Sequence, residues 1–323
     1  MTIEQEMLTP KQHTTPHVSV VVPLYNEEGN AAELHAEIVQ ACKGQGYVYE
    51  IIMVDDGSSD RSVEIASQLS PIKLIKFRRN FGQTAAMDAG IKAAQYDYIV
   101  TMDGDRQNDP NDIPKLIQKL ENDHLDVVSG WRKNRKDSFM KNFVSRGANF
   151  LRKVLINDKI HDSGCSLKIY RKECFDTISL YGEMHRFIPA LLEIKGFKVG
   201  EEVVNHRARV AGITKYNWKR TVKGFVDMVA VWFWNKYAKR PLHLLGGLGM
   251  VMLGLSFVSG VMTLVKFFQG LGMSESAYPL LTVFLFLGGV QFFVSGLLAD
   301  IMIKSYFETT KDAVYTIEKV IEN

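Results

Sequence analysis

Of 323 residues only three are cysteine, Cys42, Cys165 and Cys174. Neither their odd number nor their spacing suits a disulfide framework or a metal knuckle, so small buried thiols in a reducing compartment are expected. Net charge is equally scarce, 39 Lys and Arg standing against 36 Asp and Glu to leave +3. So even a balance excludes a general polyanion binder such as a nucleic-acid protein, and any basic site has to be local. Two phosphate-binding signatures are missing as well. No G-x-G-x-x-G follows the first strand-like run and no G-x-x-x-x-G-K-[ST] occurs anywhere, which removes the usual support for hydride transfer or P-loop chemistry. Residues 1–16 contain no apolar h-region and read as a mobile leader, not a signal peptide.

What the chain does have is two long stretches without any Asp, Glu, Lys or Arg, from Leu242 to Val265 and from Tyr278 to Ala299. Each approaches or exceeds the ~20 apolar residues that a spanning helix needs. Two transmembrane helices are expected, at about 242–266 and 278–302, joined as a hairpin within 241–304. Glycines recur inside both runs, as they do where helix backbones approach closely in lipid. Lys236, Lys239 and Arg240 precede the first run, Lys304 and Lys311 follow the second, and the link carries Lys266 against Glu275. The positive-inside rule therefore places both termini, the tail 305–323 included, on the cytoplasmic side. Between 217 and 240 the residues Trp218, Phe225, Val229, Trp232, Phe233 and Trp234 alternate with lysines and arginines. That composition suits an amphipathic segment in the membrane interface, or an aromatic stripe packed on the preceding domain.

Residues 17–216 alternate between two patterns. "HVSVVVPLY", "YEIIMVDDG", "IKLIKF", "YDYIVTMDGD" and "LDVVSGW" are short Val- and Ile-rich runs that end in turn or acidic residues. Helical segments lie between them at Gly29–Ala41, Asp60–Leu69, Gln83–Ala94 and Asp112–Asn122. This repetition predicts an α/β domain with a mainly parallel, Rossmann-like sheet covered on both faces. Ligands of such sheets bind beyond the carboxyl ends of the strands, where the unusual residues of this chain stand. Pro23 to Glu27 follow the first strand, Asp55 to Ser59 the second, Arg78 to Gly82 the third and Asp103 to Asp109 the fourth. Asp103 and Asp105, two apart across Gly104, can reach one hard divalent cation, Mg²⁺ or Mn²⁺, from a single turn. Asp55 and Asp56 suit acceptance from ribose hydroxyls or a base N–H. The same "DGSSD" also serves as an ordinary turn and helix cap, and both readings stand together.

The segments "VSVVVPLYNEEGN", "IIMVDDGSSD", "RRNFGQTAAMDAGI", "TMDGDRQNDP" and "HDSGCSLKIYRKE", taken in order, resemble glycosyltransferase family 2 with the GT-A fold. With the two C-terminal runs, the chain resembles its polyprenyl-phosphate glycosyltransferases, the group of bactoprenol glucosyltransferase and dolichol-phosphate mannose synthase. The resemblance implies an inverting transfer of a sugar, glucose from UDP-glucose by overall likeness, to undecaprenyl or another polyprenyl phosphate. A different sugar, mannose from GDP-mannose or a modified arabinose, is the alternative the same resemblance leaves open. The resemblance also implies a donor site at Pro23, Tyr25, Asn26, Glu27, Asp55, Asp56, Arg79, Gly82 and Asp103, with Asp103 and Asp105 bridging a metal to the diphosphate. Asp162 stands where inverting enzymes of this fold keep a catalytic base. An integral protein of a bacterial inner membrane is implied, with a flippase and a lipid-linked-sugar-using transferase downstream and room for a homo-oligomer. Arg106 departs from the family's commoner "DADLQ".

Two phosphorylated substrates repel each other, so the acceptor needs cationic partners of its own. Arg132, Arg135, Arg207, Arg209 and Lys215 are the candidates, an Arg fork being suited to phosphate and Gly212 permitting close backbone approach. Asp162 serves either as an orienting carboxylate or as a turn residue before Ser163-Gly164. A processive polysaccharide synthase would add a Q-x-x-R-W segment and further spans, neither of which occurs, and a non-catalytic nucleotide-sugar sensor would not need the basic residues or Asp162.

Overall fold

The computed structural model describes residues 15–133, 160–208 except 179, 181 and 183, positions 229, 232, 233, 236 and 237, and 240–310. The chain divides into two compact units, Met1–Met228 and Val229–Asn323. Most of the expected leader, the expected interfacial segment and the end of the tail lie outside the described residues.

In the first unit the Val- and Ile-rich runs become β1 (His17–Leu24), β2 (Val48–Asp55), β3 (Lys73–Lys76), β4 (Tyr98–Thr101) and β5 (Val127–Trp131), joined by β6 (Lys168–Arg171) and β7 (Val199–Val203). The helices are α1 (Ala31–Gly44), α2 (Ser62–Ser67), α3 (Gln83–Ala93), α4 (Ile113–Asn122) and α5 (Ile188–Ile194). The seven strands lie in the order β3-β2-β1-β4-β6-β5-β7. All neighbours run parallel except β6, which is antiparallel to both β4 and β5.

Successive side chains of a strand point to opposite faces, and both faces here are covered. Val18, Val20 and Val22 of β1 with Ile51 and Met53 of β2 pack under Leu34 and Ile38 of α1 and Leu116, Ile117 and Leu120 of α4. Their neighbours Val21, Ile52 and Val54 face Ala86, Met87 and Ile91 of α3 instead. Full burial of each such aliphatic side chain contributes about 1.5–3 kcal/mol, which is why these runs are continuously apolar and not alternating. The parallel strands β3, β2, β1 and β4 all end at one edge of the sheet. The antiparallel β6 begins at that edge, Lys168 lying opposite Thr101 of β4 and Ser129 of β5.

The second unit contains α6 (Pro241–Phe268) and α7 (Tyr278–Thr310), each long and apolar enough to cross a membrane. In their most apolar windows only 17% and 11% of the residues are buried within the protein, the reverse of a soluble core. The two helices pack through small residues. A Cβ on Gly249 would come within 2.7 Å of the Gly289 carbonyl oxygen, and Ser256 Oγ donates to the Thr282 carbonyl at 2.8 Å. Helix α7 runs eight residues beyond the expected end at 302, because intrahelical hydrogen bonds continue past the last apolar turn whatever the polarity of the side chains.

Candidate active site

The first two strand ends are knitted into one surface. Asp56 N–H donates to the Leu24 carbonyl at 2.8 Å, Asn26 N–H to Ser58 Oγ at 2.9 Å and Ser59 N–H to Asn26 Oδ1 at 2.8 Å. Asn26 adopts a left-handed backbone, φ 54°, a conformation that Asn tolerates better than most residues. Pro23 lies within β1, Tyr25 is exposed at the rim, and Glu27 Oε2 accepts from Asn30 Nδ2 at 2.6 Å. Asp55, wholly buried, accepts the backbone N–H groups of Gly57 and Ser58. Asp56 accepts those of Phe81, at 2.7 Å, and Gly82, at 3.0 Å. These two carboxylates therefore build the loops of β2 and β3. A Cβ at Gly57, whose φ is 73°, would lie 2.5 Å from the Arg79 carbonyl carbon, so the two loops meet only because position 57 is glycine. Arg79 stacks its guanidinium over Phe81, 4.7 Å from the ring centre.

The β4 end carries the acidic turn. Gly104 sits so close to β1 that a Cβ would fall 2.9 Å from the Pro23 carbonyl oxygen. Asp103 Oδ1 accepts from Gln83 Nε2 at 2.7 Å, and Asp103 N–H donates to Asn108 Oδ1. Asp105 Oδ1 accepts from Gln107 N–H at 3.2 Å. Burial, and then the neighbouring Asp105 carboxylate, push the Asp103 carboxyl above the ordinary carboxylate range, against the pull of Ser166, Arg132 and Lys168. Two crowded carboxylates under strain of this sign fit a cation. Among the described residues no three acidic, His or Cys side chains gather as a metal cage. The pair Asp103 and Asp105 would hold a hard divalent cation such as Mg²⁺ or Mn²⁺ through its carboxylate oxygens.

Because β6 runs antiparallel between β4 and β5, the segment ahead of it returns to the same edge and delivers Asp162. Its carboxylate accepts a fork from Arg132, Nε to Oδ2 at 2.7 Å and Nη2 to Oδ1 at 3.0 Å, and accepts the Arg132 N–H as well. Burial pulls the guanidinium down, yet the Asp162 carboxylate holds it above its ordinary value. Glu201 of β7 supports this pair from behind. Its Oε1 accepts the N–H groups of His161, at 2.6 Å, and Asp162, at 3.2 Å, while Oε2 faces His161 Nδ1 at 2.7 Å. The His161 ring stacks on Trp131, centroids 4.6 Å apart. Lys168 completes the group, buried, with Nζ donating to the Ser163 carbonyl at 3.2 Å. Burial lowers its amine to about 8, although Cys165, Asp162 and Asp103 draw it back up.

The strand ends thus bring together Pro23, Tyr25, Asn26, Glu27, Asp55, Asp56, Arg79, Gly82, Asp103, Asp105, Arg132 and Asp162. Arg207, expected beside the acceptor phosphate, has carboxylate partners of its own. Its Nη1 lies 2.7 Å from Glu37 and its Nη2 2.6 Å from Asp109, so two carboxylates already neutralise it. Arg135, Arg209 and Lys215 lie outside the described residues. Gln83, Lys168 and Glu201 were not singled out in the sequence. The first two stand inside motifs quoted above, whereas Glu201, in "VGEEVV", carries no signal of its own. The three cysteines are buried and form no disulfide, and burial raises them to about 11, 11 and 12 for Cys42, Cys165 and Cys174. Thiols held protonated in this way are inert.

An open α/β sheet with a paired carboxylate at one strand end and an Arg-Asp pair at the next is the frame of a nucleotide-sugar transferase of the GT-A type. The model of the family described as "Glycosyl transferase family 2" matches residues 19–179. The chain is 38% identical over 318 residues to the dodecaprenyl-phosphate galacturonate synthase of Rhizobium johnstonii, covering 95% of this chain and 93% of that one. It is 34% identical over 312 residues to the undecaprenyl-phosphate 4-deoxy-4-formamido-L-arabinose transferase of Salmonella paratyphi B, covering 94% and 93%. The chain belongs to glycosyl transferase family 2. Among solved structures, glucosyl-3-phosphoglycerate synthase from Mycobacterium tuberculosis, crystallised with Mn²⁺, UDP and phosphoglyceric acid, superposes with a TM-score of 0.54 at 16% identity, covering 67% of this chain and 78% of that one. Mannosyl-3-phosphoglycerate synthase from Rubrobacter xylanophilus gives 0.54 at 15% identity, covering 68% and 74%. At such identities these two structures speak for the GT-A fold alone.

Proposed function

We propose that this protein transfers a sugar from a nucleotide-sugar donor to a polyprenyl phosphate at the cytoplasmic face of a membrane, with inversion at the anomeric carbon. The observation that carries the reading is the meeting, at one sheet edge, of the crowded Asp103-Asp105 pair with the Arg132-Asp162 fork. Names of the two relatives, each similar over more than nine-tenths of the chain, support a lipid-phosphate acceptor. The two apolar helices supply membrane attachment, and the Lys and Arg flanking them favour a cytoplasmic catalytic unit.

In this reading the loops of Pro23–Glu27, Asp55–Asp56 and Arg79–Gly82 hold the nucleoside. Asp103 and Asp105 would hold Mg²⁺ or Mn²⁺, which neutralises the leaving diphosphate when bound. An oxygen of the acceptor phosphate attacks the anomeric carbon, its bond to the nucleoside diphosphate breaks, and that diphosphate departs. A phosphate monoester has its second pKa near 6, so at neutral pH most of it already carries an ionised nucleophile. Proton removal is then nearly free. Asp162 orients Arg132 toward the incoming phosphate, Arg135, Arg209 and Lys215 adding charge. The glucose expected from overall likeness has no support in the names of these relatives, and a modified sugar, galacturonate first, takes its place.

The test is release of nucleoside diphosphate by the purified full chain in detergent with Mn²⁺ and undecaprenyl phosphate. Donors carrying galacturonate, formamido-arabinose, glucose and mannose are compared. Acceptor-dependent release with one donor of the panel is expected. Release independent of the lipid phosphate, or absent with all donors, would overturn the assignment.

A further inference from the structure

Behind the acidic turn lies a row of ion pairs that the transfer reaction does not use. Glu37, on α1, accepts from Arg106 Nη2 at Oε1, 2.6 Å, and from Arg207 Nη1 at Oε2, 2.7 Å. Arg207 Nη2 goes on to Asp109 Oδ1 at 2.6 Å, and Arg207 N–H donates to the Gln107 carbonyl at 2.9 Å. Arg106 follows Asp105 directly and Asp109 lies four residues on, so the middle of the turn is tied to Glu37 directly and its end through Arg207. Isolated surface ion pairs contribute little. This row differs in two respects.

First, the side chains are largely withdrawn from water, with exposures of 13% for Asp109, 20% for Arg106, 22% for Glu37 and 33% for the bridging Arg207. Second, Arg106 has φ 60°, a left-handed backbone that disfavours any side chain and persists only where the surroundings over-determine it. The left-handed residue puts Asp105 on one side of the kink and Gln107 on the other, and Gln107 N–H in turn holds Asp105 Oδ1. Without Glu37, Arg106 keeps only the more exposed Glu33 as a carboxylate partner among the described residues, 3.9 Å from Nη1, and the turn that carries Asp105 loses its closest tether to α1.

We infer that Glu37 is a positioning residue for the metal pair: through Arg106 and Arg207 it fixes the turn 103–109, and with it the spacing at which Asp103 and Asp105 present their oxygens to a cation. The inference rests on the metal reading of those two aspartates given above. It also assigns a role to Arg106, which stands where the family's commoner motif has leucine.

The experiment is a Mn²⁺ titration of the purified full chain with UDP present, free Mn²⁺ being followed by electron paramagnetic resonance. Wild type, Glu37→Gln, Arg106→Leu and Asp105→Asn are compared, and nucleoside diphosphate release is measured in parallel at saturating Mn²⁺. Partners behind metal ligands typically govern affinity by 10–100-fold, so Glu37→Gln is expected to raise the apparent Mn²⁺ dissociation constant about tenfold, and Arg106→Leu in the same direction. Saturating Mn²⁺ should then restore turnover to near the wild-type rate, and thermal midpoints should stay within a few degrees. Titrations of Glu37→Gln and Arg106→Leu that superimpose on wild type overturn the inference while leaving the metal site standing, as does a lost rate that saturating Mn²⁺ does not restore. A wild type that takes up no more Mn²⁺ than Asp105→Asn overturns the metal reading and the inference with it.

Discussion

Replacing Asp162 by Asn separates two roles that a carboxylate can have beside an attacking phosphate. Asn keeps one oxygen for Arg132 but loses the charge, and with it the two-point fork of 2.7 and 3.0 Å. The pair is well shielded, its side chains only 10% and 16% exposed, so the lost interaction is that of a charge-assisted hydrogen bond, about 2 kcal/mol. Carried wholly into acceptor orientation, that is roughly a 30-fold fall in kcat/KM for the lipid phosphate. The factor should be nearly constant from pH 5.5 to 8.5, because orientation does not depend on who holds the acceptor's proton. A base role predicts another shape. The variant would then work only on pre-ionised acceptor, a fraction that climbs from about one quarter at pH 5.5 to almost all at pH 8.5 for a second pKa near 6. Measured as the variant-to-wild-type ratio of diphosphate release, a flat line near 0.03 is expected. A ratio rising to near unity by pH 8.5 would refute the orienting role.

Three further outcomes follow from the same geometry. Asp105→Asn leaves Asp103 alone at the β4 end and should lower diphosphate release at least ~100-fold, as should excess chelator on wild type; activity surviving both would remove the metal from the mechanism. Gly57→Ala forces a Cβ to within 2.5 Å of the Arg79 backbone at φ 73°, and should destabilise the catalytic unit by at least ~2 kcal/mol in thermal unfolding, whereas Gly46→Ala, with nothing within 4 Å at φ 69°, should cost only the backbone strain. Lys168 has its amine lowered from 10.5 to about 8 by burial, so between those values the unfolded chain binds the extra proton and wild-type stability rises with pH, by about 3 kcal/mol in all; Lys168→Met should flatten that rise, and parallel stability curves for the two proteins would show that the ammonium is not desolvated.

What could be read from the sequence, and what could not, divides along physical lines. Five of the seven described strands and the four helices between them were legible, because a strand covered on both faces must be apolar nearly throughout and each such run ends in turn or acidic residues. The convergence of Asp55, Asp103 and Arg79 followed from that alone, since successive parallel strands must end at one edge. The "KIYR" of β6 gave no such signal: four residues long, it begins with a lysine whose burial no composition argument would assign. Yet the antiparallel insertion of that one strand turns the chain round so that Asp162 meets Arg132 thirty residues behind it. The partners of Arg207 stayed hidden for a related reason. A cation in a basic stretch reads as a ligand for phosphate only while its carboxylate partners are out of sight, and Glu37 lies 170 residues away in sequence. Local pattern therefore locates the strand ends, where sterics and burial act over a few residues. It does not locate the charge pairs across them, because Coulomb attraction between distant segments leaves no period and no spacing in the chain that carries it.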